Sequence, residues 1–293
     1  MGTSGRSPDD RGTVMGASPN VSLTLSNQPD NVLLVRETLT GMAETVGVDG
    51  VDLNDIRTAV TEACNNVVLH AYEGEEGPLQ VELYVSADAV EVVVRDHGLG
   101  IKPHIRSDEE AALGIGLSII QALAPRVEFK DVDGGGTEVR MEFATPTAQA
   151  LDSGVLNGFQ APSVARSRLA TTTGLSVAPD TLARRVLPRV MCVLAARAHF
   201  TTDRISDTEL VADALVSEAF APSTGDHLNV SVTVEPRSLE LRVGPLDSGS
   251  AQRLIASSPA EGVGPVIEKL TDDRRIATEG PSEMLELRLR DQR

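Results

Sequence analysis

Apolar and polar residues alternate in four short runs of the first half of the chain. Alternation of this kind places apolar side chains on one face of a β-strand, so each run predicts a strand with one buried face. Turn residues bound the runs, and we therefore expect mostly antiparallel pairing. The four runs are residues 21–25, 79–85, 90–94 and 139–143.

Two helices are predicted between the first two of these strands. Asp30 can cap a helix that runs through Val35 and Leu39, and a second helix follows Asp52. Apolar residues of the second helix recur at helical spacing and form a stripe that must pack on a flat surface. The stripe consists of Ile56, Ala59, Val60, Ala63 and Val67. Helices packed on a mostly antiparallel sheet define an α+β domain.

The chain of 293 residues is long enough for about two domains. Residues 1–19 are rich in Gly, Ser, Pro and Asp and are predicted to form a disordered tail. Residues 147–172 lack sustained periodicity and are predicted to be a linker. These boundaries predict one domain at 20–146 and a second at 173–293.

Composition and charge limit which residue types can form the core and which kinds of partner can bind. Aromatic residues make up only 2% of the chain and tryptophan is absent, so we expect a core of Val, Leu, Ile and Ala. The formal net charge of -17 repels phosphate backbones and anionic headgroups, which argues against direct binding to nucleic acid or membrane. A basic protein partner fits this charge better, although an acidic surface can also serve solubility alone.

Cysteine usage and hydropathy indicate a cytoplasmic protein. Cys64 and Cys192 lie far apart, without the spacing of a disulfide framework or a zinc site. No apolar run approaches the ~18 residues of a membrane span, and the first residues lack the apolar segment of a signal peptide. We therefore expect the chain to remain in the reducing cytoplasm.

Glu62 and Asn66 lie four residues apart on the second predicted helix and project from the same face. A carboxylate can accept the proton of an attacking hydroxyl, and an amide oxygen is a hard, neutral ligand for magnesium that bridges nucleotide phosphates. The same spacing also occurs on helices whose side chains simply face water. The pair therefore needs further context.

That context comes from glycine-containing segments further along the chain. Asp96, Gly98 and Gly100 end the third predicted strand, where a carboxylate could accept an adenine amino proton and glycines let a ring approach the backbone. Gly114 and Gly116 are predicted to open an apolar helix, whose free amides favour phosphate.

A run of three glycines opens the last predicted strand and could place the hydroxyl of Thr137 near the base. In isolation these segments are an Asp/Gly turn, a Gly-x-Gly and a hairpin turn. Their order along the chain is the informative feature. A helix with Glu and Asn, a strand that ends in Asp, a helix with Gly-x-Gly and a strand that follows three glycines together indicate a nucleotide site.

This order resembles the N, G1 and G2 boxes of the GHKL superfamily over residues 20–146. Residues 61–72 are similar to bacterial anti-sigma factor serine kinases of the RsbW type, whose pattern is Glu-x-x-x-Asn-x-x-x-His-x-Tyr. The pattern occurs here at Glu62, Asn66, His70 and Tyr72. The resemblance implies a Bergerat fold, which is a two-layer α/β sandwich that binds ATP between its sheet and helices.

The resemblance also implies roles for individual residues. Glu62 is expected to be the general base, Asn66 the magnesium ligand and Asp96 the adenine reader. Gly98, Gly100, Gly114 and Gly116 are expected to surround the nucleotide, with Thr137 near the adenine base. Other reactive residues near the site are expected to be structural, namely His70, His97 and Cys64.

Residues 101–113 are the expected lid over the phosphates. Chaperone and topoisomerase branches of the superfamily have longer lids, and a histidine kinase needs a phosphoacceptor helix upstream, which disfavours an orphan histidine-kinase ATPase domain. Lys102 and Arg106 could touch phosphates, but exposed basic residues in a loop are more often solvated charge.

The second half contains echoes of the first. Val-Ser-Glu-Ala at 216–219 repeats Val-Thr-Glu-Ala at 60–63, and Gly-Val-Gly at 262–264 answers Gly-Ile-Gly at 114–116. Alternating strands are also predicted at matching places. We therefore predict a second, degenerate copy of the GHKL-like fold, with an unrelated α+β domain as the alternative.

The residues that carry the chemistry are missing from that copy. Pro222 stands where Asn66 is expected, and Pro245 lies at or beside the position of Asp96. Proline offers no side-chain oxygen for magnesium or adenine. The second half is therefore predicted to lack an ATP site.

Taken together, the resemblance implies an ATP-dependent serine/threonine kinase that binds a sigma factor and phosphorylates an anti-anti-sigma (STAS-type) antagonist. Such kinases usually act as homodimers, and the second half is hypothesised to replace the second subunit in an intramolecular pseudo-dimer. The alternative is a non-catalytic interaction module of a partner-switching pathway, in which ATP only holds a shape that partners recognise.

Overall fold

The computed structural model describes most of the chain, with gaps. The described residues are 18–48, 50–86, 89–100, 108–144, 171–178, 181–219, 227–257 and 264–292. Residues 1–17 of the predicted tail, residues 147–170 of the predicted linker and residues 101–107 of the expected lid lie outside these ranges, as do Lys102, Arg106 and Pro222.

The first half alternates two hairpins with helices. Strand β1 (Val21–Ser26) leads to α1 (Asn31–Val46) and α2 (Gly50–Asn66), and a π-helical turn (Val67–Ala71) continues α2 without a break. The first hairpin consists of β2 (Pro78–Val85) and β3 (Ala89–Asp96). Helix α3 (Asp108–Leu123) then precedes the second hairpin, β4 (Arg126–Asp131) and β5 (Thr137–Ala144).

The second half follows the same order of elements. It comprises β6 (Thr172–Val177), α4 (Thr181–Arg197), α5 (Thr202–Ala219), β7 (Leu228–Glu235), β8 (Ser238–Asp247), α6 (Ser250–Ala256), α7 (Val266–Leu270), β9 (Asp273–Glu279) and β10 (Ser282–Arg290). The two short helices α6 and α7 occupy the place that α3 has in the first half.

The ten strands of the described ranges form one sheet with the order β4-β5-β3-β2-β1-β6-β7-β8-β10-β9. Every neighbouring pair is antiparallel, which confirms the predicted pairing. Strands β1 and β6 meet at the centre, where Val21 lies opposite Val177 and Leu23 opposite Leu175. Reading outward from this centre, the two halves have the same strand order.

The helices form a second layer that continues across both halves. Contacts between helices follow the order α3, α2, α1, α4, α5, and α1, α2 and α4 also contact strands of the sheet. The α+β class is therefore confirmed. The core beneath this layer consists mainly of Val, Leu, Ile and Ala, as the composition predicts.

Helices α1 and α4 pack closely enough to require a glycine. A Cβ on Gly41 would lie 2.8 Å from the carbonyl oxygen of Arg185, so only glycine fits here without a shift of backbone. Around this contact the Arg189 guanidinium forms ion pairs with Glu37 and Glu44. Such partly exposed ion pairs contribute little to stability individually. We therefore attribute the association of α1 with α4 mainly to the packing of the two helices.

The four strands predicted in the first half are confirmed, and so is the position at which the first helix begins. Helix α1 begins after Asp30, but the Asp30 side chain makes no capping hydrogen bond. The buried side-chain amide of Asn31, the first residue of the helix, donates hydrogen bonds to the carbonyl and hydroxyl oxygens of Ser26. Helix α2 begins at Gly50, two residues before the predicted Asp52.

No helix in the described ranges combines the length and the apolar character needed to cross a lipid bilayer.

Candidate functional site

Glu62 and Asn66 occupy the last turns of α2 and are both partly exposed. Gly116 of α3 faces them directly. A Cβ on Gly116 would lie 3.2 Å from Oε2 of Glu62 and 3.3 Å from Oδ1 of Asn66. The structure therefore brings three of the predicted site residues together, at a position where a side chain larger than that of glycine would press on the carboxylate and the amide.

The π-helical turn after Asn66 joins this helix to the loop that follows β3. The last carbonyl of the turn, that of Ala71, accepts a hydrogen bond of 3.0 Å from the amide of Leu99. A Cβ on Gly98 would lie 2.0 Å from the same oxygen, which excludes any side chain at this position. Single π-turns inside α-helices are frequent at functional sites, and here the turn places the loop that follows β3 against the end of α2.

Asp96 is the buried carboxylate of the site, with 4% of its surface exposed. Its Oδ1 accepts a hydrogen bond of 2.8 Å from the amide of Gly98, and the backbone amide of Thr137 also donates to the carboxylate. Burial raises the pKa of Asp96, while these two hydrogen bonds lower it by a smaller amount. A buried carboxylate held by backbone donors is typical of a group that binds a ligand.

The glycine run before β5 packs against the backbone of the segment that carries Asp96. A Cβ on Gly136 would lie 2.2 Å from the carbonyl oxygen of Asp96, and one on Gly135 would lie 3.0 Å from that of Gly98. Gly136 also has a φ of +107°, which side-chain-bearing residues rarely adopt. Thr137, which follows this run, is buried, and it is the backbone amide of Thr137 that meets Asp96.

The structure gives Gly98 and Gly100 a role in the shape of the loop, while the predicted approach of a ring to their backbone stays a prediction. The sequence suggests that Gly98 and Gly100 let a ring approach the backbone. In the structure Gly98 is needed for the contact with Ala71, and Gly100 is needed for its φ of +72°. These glycines therefore shape the loop that carries Asp96.

The prediction that Gly114 and Gly116 open a helix is wrong. Helix α3 begins at Asp108, so both glycines lie inside it and their amides are not free helix-terminal donors. The reason is local, because the preceding residues Asp-Glu-Glu-Ala-Ala-Leu combine acidic residues suited to a helix start with good helix formers.

Other predicted residues have simpler environments. Cys64 is fully buried, and burial raises the pKa of its thiol to about 12, which confirms a structural role. His70 is partly exposed and the ring of His97 is exposed, so neither is a core residue. Within the described ranges, no group of three or more His, Cys, Asp or Glu side chains could hold a metal ion.

The second half has other residues at the corresponding places. Pro245 follows Val243 in β8 by two positions, as Asp96 follows Val94 in β3, and both valines lie in equivalent hairpin pairs. Near Pro245, the carboxylate of Glu283 accepts hydrogen bonds from the amides of Gly249 (2.8 Å) and Ala251 (3.2 Å). The backbone donors at the start of α6 are therefore already occupied.

Tyr72 is a site residue whose role the sequence does not reveal. It appears in the motif, but only the structure shows that its hydroxyl accepts a hydrogen bond from the amide of His97. The contribution of the Ala71 carbonyl has no sequence signal at all, because every residue has a carbonyl.

Comparison with known proteins agrees with this geometry. Residues 25–143 match the family model of the histidine kinase-like ATPase domain, the class of protein that the fold and the site indicate. The serine-protein kinase RsbW of Bacillus pumilus (strain SAFR-032) is 31% identical over 125 residues, which are 38% of this chain and 77% of the relative. The chain belongs to the RsbW-type family of GHKL proteins.

Two further relatives show the range of the family. The serine-protein kinase RsbW of Bacillus subtilis (strain 168) is 31% identical over 127 residues, covering 39% of this chain and 79% of the relative. The anti-sigma F factor of Thermoanaerobacter sp. (strain X514) is 28% identical over 130 residues, covering 41% of this chain and 90% of the relative.

The raised pKa of Asp96 predicts a pH-dependent contribution to stability. Because the folded state holds this proton more tightly than the unfolded state, the contribution is fully present below the unfolded-state pKa and is lost as pH rises through the folded-state pKa. The free energy of unfolding of the wild type, relative to Asp96→Asn, should therefore increase as pH falls through the folded-state pKa. Urea denaturation at a series of acidic pH values measures this difference.

The exposed turn residue Asp133 provides the control, as Asp133→Asn. A stability difference between wild type and Asp96→Asn that is constant with pH, or that decreases toward acid, would contradict the assignment of Asp96 as a carboxylate penalised by burial.

Proposed function

We propose that this chain is an ATP-dependent anti-sigma factor serine/threonine kinase, which binds a sigma factor and phosphorylates an anti-anti-sigma antagonist. The observation that supports the proposal most directly is the close approach of Gly116 to Glu62 and Asn66, together with the buried Asp96 at the end of β3. The relatives named serine-protein kinase RsbW and anti-sigma F factor supply the biological context.

The residues present fit magnesium and ATP. Asp96 is a buried acceptor suited to the amino group of adenine, and the Asn66 amide oxygen is a suitable ligand for magnesium. The missing Cβ at Gly116 leaves space beside Asn66 that a side chain would fill. Gly98, Gly100, Gly114 and Thr137 complete the proposed nucleotide-binding set, in which Gly114 acts from inside α3.

In the proposed mechanism, bound magnesium and ATP supply the phosphoryl group. Glu62 accepts the proton of the substrate hydroxyl, and its partial exposure leaves it accessible to a protein substrate. Asn66, one turn further along the same helix face, would hold the magnesium ion through its amide oxygen. Asp96 would accept a hydrogen bond from the amino group of adenine and so orient the nucleotide.

We also propose that the second half is a degenerate copy that replaces the second subunit of a homodimer. The repeated order of elements, the matching strand order and the central β1–β6 pairing support this idea. Pro245 at the place of Asp96, and Glu283 on the amides before and within α6, support the absence of a nucleotide there. The chain then carries one active site in a pseudo-dimer.

The pseudo-dimer predicts that the chain is a monomer in solution. Because β6 already pairs with the edge of β1 and α4 covers α1, the surfaces that join the two halves are not free for a second chain. Multi-angle light scattering should give the mass of one chain, 31.0 kDa, over a wide concentration range. A stable dimer that forms through the first halves would contradict the replacement of a subunit.

The kinase proposal predicts that Glu62→Gln abolishes phosphoryl transfer without abolishing ATP binding. Gln has the size of Glu but cannot accept the proton, so transfer of label from ATP to the antagonist should fall by about 10²–10⁴-fold. The antagonist and the sigma factor are best chosen from genes next to the gene for this chain. Glu76→Gln, at an exposed position before β2, is the matched control and should leave transfer unchanged.

The rival function is a module that binds ATP without transferring phosphate. Wild-type protein that binds ATP and a sigma factor, but transfers no label to any tested antagonist, would favour the module. Transfer that survives Glu62→Gln would instead remove Glu62 from the role of general base.

A further inference from the structure

The hydroxyl of Tyr72 links two chain segments that the proposed site depends on. It donates a hydrogen bond of 2.6 Å to the carbonyl oxygen of Pro78 at the start of β2. It also accepts a hydrogen bond of 2.9 Å from the backbone amide of His97, the residue after Asp96. One side chain therefore spans from the end of the catalytic helix to both strands of the first hairpin.

The ring of Tyr72 is held in place by close packing. A Cβ on Gly77 would lie 2.1 Å from Cε1 of the ring, so the ring lies directly against the backbone of Gly77. The ring also packs on the edge of the hydrophobic core. The hydroxyl is consequently presented in a fixed position, which a solvated tyrosine would not provide.

The neighbouring residue makes a second link of the same kind. The Ala71 carbonyl accepts from the amide of Leu99 at 3.0 Å, two residues beyond His97. Between these two anchored amides lies Gly98, whose own amide donates to Oδ1 of Asp96. The end of the π-helical turn thus fixes the loop on both sides of the donor that orients the carboxylate.

From this geometry we infer that Tyr72 is a positioning residue for Asp96, and that its hydroxyl sets the selectivity of the site for the 6-amino group of adenine. The inference rests on the proposed nucleotide-binding function. Tyr72 acts on Asp96 through the chain, by holding His97 and hence the Gly98 amide. Loss of the hydroxyl leaves the Pro78 carbonyl and the His97 amide without these partners and lets the carboxylate adopt other orientations.

A purely structural tyrosine would affect stability alone, and the chain offers a matched comparison. Tyr84 is the only other tyrosine in the sequence, and its hydroxyl also makes a hydrogen bond, of 3.0 Å, to Oε2 of Glu82 in β2. Tyr84 lies further along the strand that Pro78 begins, and its partner takes no part in the site. Tyr84→Phe therefore removes the same atom without disturbing the loop that carries Asp96.

The experiment compares the affinity of the full chain for ATP and for inosine triphosphate, with magnesium, in the wild type, Tyr72→Phe and Tyr84→Phe. Inosine presents a 6-oxo group, which a carboxylate at Asp96 repels. Tyr72→Phe should bind ATP about 10-fold more weakly, as expected for a lost hydrogen bond that orients a ligand contact. Its preference for ATP over inosine triphosphate should shrink, whereas Tyr84→Phe should keep the wild-type preference.

Several results would overturn the inference. Wild-type selectivity in Tyr72→Phe, or an equal loss of selectivity in both variants, would show that Tyr72 does not position Asp96. Failure of the wild type to bind ATP at all would overturn the proposed function together with the inference.

A second measurement covers the case in which Tyr72→Phe does not fold. In the wild type without nucleotide, the His97 amide should exchange slowly with deuterium, because Tyr72 accepts its hydrogen bond. If this amide exchanges as fast as an unbonded surface amide, the inferred hydrogen bond from the His97 amide to the Tyr72 hydroxyl is contradicted.

Discussion

Two pairs of segments in the first half approach one another more closely than a side chain with a Cβ allows, and a third approach is only slightly looser. Gly98 lies against the Ala71 carbonyl, Gly136 lies against the Asp96 carbonyl, and Gly116 faces Glu62 and Asn66. The first two contacts fix the segment that carries the buried carboxylate relative to the end of α2, and the third packs α3 against Glu62 and Asn66. The proposed chemistry depends on this steric constraint, because a Cβ at any of the three positions would move a segment or fill the site.

Much of this arrangement could be predicted from the sequence, because the signals involved are local. Strict alternation identified β2, β3 and β5, and the apolar stripe identified α2. Strands β4 and β9 were not predicted. They lie at the two edges of the sheet, and β4 carries only two apolar residues, Val127 and Phe129, neither of which is fully buried. Edge strands need no continuous apolar face, so the pattern carries little information there.

The site shows the same division between local and long-range information. The four-residue spacing of Glu62 and Asn66 is a local feature, and the structure keeps them side by side. The reasons for the glycines are not local, because the partners of Gly98 and Gly136 come from other segments of the chain. Gly114 shows the limit most clearly, since the helix that was expected to begin there starts six residues earlier, at Asp108.

The continuous sheet assigns a structural role to the second half, which covers one edge of β1 and one face of α1. Pairing of β1 with β6 buries both strands at the centre of the sheet, and α4 covers α1 above them. A first half alone would expose the β1 edge and the α1 face, which is the liability that dimerisation usually removes. In this account the second half covers those surfaces, and its own site is free to diverge.

The central claim is that one chain carries one nucleotide site, in the first half. Isothermal titration of the full chain with ATP and magnesium tests it most directly. The account predicts a stoichiometry of one nucleotide per chain, with no residual binding in a variant that carries Asn66→Ala and Asp96→Ala together. Two nucleotides per chain in the wild type, or one that persists in the double variant, would contradict it.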